Sequence, residues 1–104
     1  MTQESNSKAR EAAAGELAKL PPLHAIAEEL RHYPVRLLEQ LCEQAERRQG
    51  PVPDHTLTLL PYLGETAIRA LVDGGYVERL DNVPYAIIAY VPTDAGRAIA
   101  ASLR

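Results

Sequence analysis

Proline and glycine punctuate this chain so often that few long elements are open to it. Eight prolines and six glycines fall in 104 residues. Proline lacks a backbone N–H and clashes with the preceding helical turn, so each one ends, opens or forbids a helix. Pro21-Pro22 stops a first helix. Pro34 fits the first turn of another, where its missing N–H costs little. Gly50-Pro51-Val52-Pro53 makes a stiff connector, and Pro61 with Gly64 brackets a tight break. Gly74-Gly75 marks a sharp turn, since glycine takes the left-handed conformation at no steric cost. The pieces left between these breaks are short helices and short strands, enough for one small domain.

The first half reads as helical. Residues Met1 to Ser7 are polar and are expected to be a frayed, disordered end. Lys8 to Leu20, KAREAAAGELAKL, favours helix, with a thin stripe of Ala13, Leu17 and Leu20 that needs a neighbour or a second chain. Leu23 to Arg31 places Leu23, Ile26, Ala27 and Leu30 at helical spacing and predicts a second helix. Pro34 to Arg48 predicts a third. Its inner stripe is Leu38, Leu41, Cys42 and Ala45, with Val35 or Leu37 at the edge. Glu39, Glu43, Glu46 and Arg47 face water.

The second half changes pattern. Asp54 is a plausible cap for a short helix through Thr56-Leu57-Thr58-Leu59-Leu60. Glu65 to Asp73 predicts a helix with Ile68, Leu71 and Val72 inside and Glu65, Thr66, Arg69 and Asp73 outside. Tyr76 to Leu80 reads as a strand, Asp81 to Pro84 as a turn, and Tyr85 to Val91 as a second strand rich in β-branched and aromatic residues. Both faces of that second strand are apolar, so another element or another chain is expected to cover it. Thr93 caps a final helix from Asp94 to about Leu103 that buries Ala95, Ile99 and Leu103.

Several function classes lose their footing here. A single cysteine, Cys42, closes no intramolecular disulfide, and the polar start carries no signal-like apolar stretch, so a cytoplasmic location is expected. The apolar run from Tyr85 to Val91 is far short of the ~20 residues a membrane span needs. His24, His32 and His55 lack metal-ligand spacing. Glu28-Glu29 and the Glu39/Glu43 pair sit on charged helix faces. No nucleophile elbow, phosphate-cradling loop or dinucleotide fingerprint is present, so neither catalysis nor a cofactor is expected. Cys42 lies among Glu39, Glu43 and Glu46 on an inner stripe, which suits a small buried hydrophobe better than an oxidant sensor.

The stretch LVDGGYVERLDNVPYAIIAYVPTDAGRAIA, Leu71 to Ala100, resembles a winged helix-turn-helix domain. It is similar to the part of multiple-antibiotic-resistance-type bacterial repressors in which a recognition helix ends in a glycine turn. There a first wing strand follows, and a second strand runs into a Thr-x-x-Gly helix start. Gly75-Tyr76-Val77-Glu78-Arg79 and Pro92-Thr93-Asp94-Ala95-Gly96-Arg97 fill those two steps. The resemblance implies a mainly α fold with a small β-hairpin (α+β): a winged helix-turn-helix with extra N-terminal helices. Residues 8–104 would form one domain, with helices in 8–50 and the helix-turn-helix, wing and last helix in 54–104.

It further implies a transcriptional regulator that binds duplex DNA. The helix Glu65 to Asp73 would lie in the major groove, with Thr66 and Arg69 central and Glu65 beside them. Arg79 and the turn containing Asn82 would approach the backbone or minor groove. Arg47, Arg48 and His55, around the proline connector, would touch phosphate, although two arginines ending a helix also suit its dipole.

Charge supplies a rival. The net charge is −3, which excludes binding by bulk charge alone. Met1 to Leu20 holds three acids and three bases, Pro21 to Gly50 five and four, and Asp54 to Arg104 six and four. The deficit falls where a DNA-binding surface is expected. The alternative is therefore an acidic winged-helix module, a phage- or plasmid-type adaptor or inhibitor, that binds another protein and no DNA. The two apolar faces of Tyr85 to Val91 and the thin stripe on Lys8 to Leu20 predict a homodimer, with the N-terminal helices and Ile99 to Leu103 contributing.

Overall fold

A computed structural model describes the backbone of residues 2–104 and the side chains from residue 7 onward. Helix α1 spans Thr2–Leu17. It starts six residues ahead of the expected Lys8, because nothing between Thr2 and Ser7 breaks a helix and each added residue gains a backbone bond. Met1 lies outside the described residues. Ala13, Ala14 and Leu17 are buried against α2, Tyr33–Arg48. The thin stripe thus finds its neighbour within the same chain. Arg10 clamps the pair by donating two hydrogen bonds to the Glu39 carboxylate, at 2.9 and 2.8 Å.

The second helix expected from the sequence does not form. Leu23–Ala25 and Glu28–Leu30 are two 3₁₀ turns, separated by Ile26 and Ala27 in extended conformation. Only ten residues lie between the proline pair and α2, too few for a helix that lacks strong packing. Leu23 is buried and Ile26 half-buried, whereas Ala27 and Leu30 face solvent. Arg31 and His32 reach back to Glu11, each at 3.4 Å, and tie this segment to α1.

Helix α2 agrees closely with expectation. Val35, Leu37, Leu38, Leu41, Cys42 and Ala45 are all buried. Its C-cap is Gln49, in the left-handed region at φ 56, rather than Gly50. The connector then supplies a strand the sequence did not announce. Val52–Pro53 forms β1, pairing antiparallel through Val52 with Tyr90 and Pro53 with Ala89. Proline is tolerated there because β1 is an edge.

The helix expected after Asp54 is a single 3₁₀ turn, Asp54–Thr56, and Leu57 is already extended. Pro53, not Asp54, stands at the cap position. The Thr56 hydroxyl instead donates to the Pro53 carbonyl at 2.7 Å, and Gln44 of α2 bonds the Thr56 carbonyl at 3.3 Å. Such side-chain bonds compete with helix, and Thr56 and Thr58 are β-branched.

Helix α3 spans Leu63–Asp73, burying Gly64, Ala67, Ile68, Ala70 and Leu71. Val72 is only half-buried. Gly75 at φ 84 then turns the chain into β2, Val77–Val83, and β3, Ala86–Pro92. The turn between them is Pro84-Tyr85, not Asp81 to Pro84. Proline presets the first turn position, and Asn82 stays within β2 by taking φ 58, a region asparagine tolerates better than most residues.

Strand order is β1-β3-β2, all antiparallel. Helix α4, Asp94–Ala101, packs against α2 and β3. Thr93 caps it, its hydroxyl accepting the Gly96 N–H at 3.2 Å and donating to the Gly75 carbonyl at 2.6 Å. Gly96, Ala100 and Leu103 face inward, Ile99 is half-buried, and Ala95 is exposed, contrary to expectation. The helix approaches the sheet through the bare backbone of Gly96, which sets its rotation.

Candidate nucleic-acid interface

Helix α3 and the β2–β3 hairpin carry most of the residues singled out from the sequence. With Ala67, Ile68, Ala70 and Leu71 committed to the core, the outward face of α3 is left to Glu65, Arg69 and Asp73, all exposed, with Thr66 half-buried at its edge. Among the described residues, Arg69 makes no hydrogen bond or ion pair. It is thus a free guanidinium on a helix whose other face is fixed, the condition a side chain needs to read a partner without first breaking an internal contact.

The other candidates are placed less favourably. Arg79 donates to Asp81 at 3.0 Å, which cancels its charge locally. Arg47 donates to Glu43 one helical turn earlier at 2.7 Å. Arg48 is exposed and unpaired among the described residues. His55 is exposed beside Asp54, at 3.9 Å. Asn82 projects from β2 near the hairpin end. The hairpin turn leans over the connector, because the Tyr85 hydroxyl donates to the Pro51 carbonyl at 3.1 Å.

Tyr90 reports the electrostatics of the junction. Burial pushes its phenol above the ordinary value; Arg79 pulls it down, while Asp54, Asp81 and Glu65 push it further up. Three carboxylates and one guanidinium therefore act on this phenol, with the carboxylates in the majority.

Composition and periodicity gave no sign of one feature. Tyr62, just ahead of α3, has φ 64 and ψ −52 and is 92% exposed. The Leu63 N–H donates to the Pro61 carbonyl at 2.6 Å, closing a three-residue turn. This positive-φ γ-turn is rare and strained. It leaves an exposed aromatic ring just ahead of α3. Ile87, 79% exposed on β3, and Tyr85 are further bare apolar groups on the same half of the chain. The unbroken apolar run of β3 was the signal for these two. The Pro61-Tyr62 pair offered only a turn.

Cys42 is buried, and its Sγ donates to the Gly96 carbonyl at 3.9 Å. Burial raises its thiol pKa, with Arg97 and Arg104 opposing. The folded chain therefore holds a proton that the unfolded chain releases. Stability is full below the thiol's ordinary value of about 9 and falls as pH rises past it. In urea melts from pH 8 to 10, Cys42→Ala is expected to lose less stability than the parent; equal slopes would show the thiol to be uncoupled from folding.

His24 is exposed and His32 is engaged with Glu11. Among the described residues no three His, Cys, Asp or Glu side chains gather as a metal site, and no helix is long and apolar enough to cross a membrane. Compared with family models, curated proteins and solved structures, the chain matches none of them.

Proposed function

We propose that this chain is a winged-helix regulator that binds duplex DNA as a dimer, with α3 as the reading helix. The observation that carries this is the free Arg69 on the outward face of an otherwise buried α3. The element order supports it: a helix, a short strand, a turn, α3, a two-stranded hairpin and a closing helix. Arg69 is the bidentate base contact, with Thr66 and Glu65 flanking it. Arg48, Arg47, Asn82 and Arg79 border the phosphate backbone and His55 lies nearby. Few phosphates are neutralised by such a set, so a second copy is needed for tight binding. The chain then acts in the cytoplasm, where duplex DNA lies.

A second reading is favoured by the acidic junction around Tyr90 and the bare Tyr62 and Ile87. On it, the same face docks a protein and repels phosphate.

One set of measurements separates the two. On the DNA reading the chain is retained on heparin at low salt and elutes with salt, and light scattering gives twice the 11.4 kDa chain mass. Against DNA selected for binding, Arg69→Ala costs about 1–3 kcal/mol. Flow-through on heparin, or a loss under about 0.5 kcal/mol for Arg69→Ala, discards α3 as a reading helix.

A further inference from the structure

A second feature of the surface lies away from α3. A cleft of about 420 Å³ opens between the C-terminal half of α2 and α4. That volume falls in the range of sites that hold small organic ligands. Its floor is apolar, formed by Cys42, Ala45, Val91 and Ala100. Two guanidiniums, Arg97 and Arg104, stand in its lining. Both lie close enough to the floor to pull on the Cys42 thiol.

Among the side chains that line the cleft, two guanidiniums stand against one carboxylate. Arg104 is engaged by Glu46 at 3.0 Å, the carboxylate that also lines the space. Among the described residues Arg97 has only Asp94, at 3.8 Å on a fully exposed side chain outside the lining. A contact of that length in water contributes little. One guanidinium is thus left to an incoming anion, beside an apolar floor. An apolar body with a single negative head satisfies both.

We propose that this cleft binds a small organic carboxylate, its alkyl body on the Cys42–Ala45–Ala100 floor and its carboxylate on Arg97. The site stands apart from the DNA reading and does not depend on it. A guanidinium suits the ligand's head because it offers paired donors in a planar fork that matches a carboxylate. A neutral ligand of the same body would gain the floor and forfeit that contact.

The test uses the full chain with octanoate and 1-octanol as probes, by isothermal titration. Octanoate is expected to saturate one site with a Kd below about 1 mM, and 1-octanol to bind about tenfold more weakly. Arg97→Gln is expected to weaken octanoate about tenfold and leave 1-octanol unchanged. Ala101→Phe, on an exposed residue of the lining, fills the space and abolishes both. Equal affinity for the two probes, or unchanged octanoate binding in Arg97→Gln, overturns the proposal. So does an Ala101→Phe variant that turns a dimer into a monomer in light scattering, since a second chain would then be the occupant.

Discussion

Leu71→Ala is expected to lower the unfolding free energy by about 2–5 kcal/mol. Leu71 is fully buried and lies at the centre of the buried face of α3, with Ala67, Ile68 and Ala70 around it. Two of those neighbours, Ala67 and Ala70, are small, so they cannot swing into the vacated space. The backbone is equally held: the Leu71 carbonyl accepts the Tyr76 N–H at 2.9 Å across the glycine turn. Removing the side chain therefore leaves a cavity rather than a collapse, which is the costly case. Chemical denaturation should show the midpoint fall with an unchanged slope. Arg69→Ala, two residues away on the wet face, should stay within about 0.5 kcal/mol of the parent. That contrast matters for function, because it makes any loss of binding in Arg69→Ala a loss of contact and not of fold. A shift under about 1 kcal/mol for Leu71→Ala would mean that α3 is not seated as described.

Most of the architecture was legible where one periodicity acted without competition. Helix α2 has an unbroken apolar stripe and a proline at its start, and its bounds and buried face follow from those. The glycine turn, the two hairpin strands and the Thr93 cap were readable for the same reason: each rests on local chemistry. What escaped was decided by tertiary contacts. Thr56 looked helical until Gln44 from α2 took its polar groups. Val52-Pro53 looked like a connector, and it is a strand only because Tyr90 and Ala89 lie alongside it. Leu23 to Arg31 has helical spacing but only Leu23 reached the core.

The candidate site divides in the same way. That Arg69 faces outward followed from the apolar positions of α3. That Arg79 is cancelled by Asp81 and Arg47 by Glu43 did not, since a residue pair two or four apart is free to meet or to part. The strain at Tyr62 was hidden because a positive φ on tyrosine goes against local preference. The cleft between α2 and α4 depends on how two distant helices dock, and no linear pattern shows that.

Gly96 puts that docking to its own test, with a result whose sign is decisive. By helix propensity alone, alanine should improve on glycine inside α4 by about 1 kcal/mol. Sterics oppose this. A Cβ at Gly96 would fall within contact distance of the Tyr76 carbonyl oxygen and lie 3.4 Å from Leu38. That oxygen cannot retreat freely, because it already accepts the Thr93 N–H at 3.1 Å. Backbone, unlike a side-chain tip, has no rotamer to change. Gly96→Ala is therefore expected to destabilise by about 1–3 kcal/mol, the range of an overpacked core. Gly50→Ala supplies the control. Nothing lies within 4 Å of its Cβ position, so restricting the unfolded chain should make it neutral or slightly stabilising. Thermal melts of the two variants against the parent decide it. A melting temperature for Gly96→Ala at or above the parent's would show that α4 does not rest on the Tyr76 carbonyl, and the walls of the cleft would then have to be redrawn.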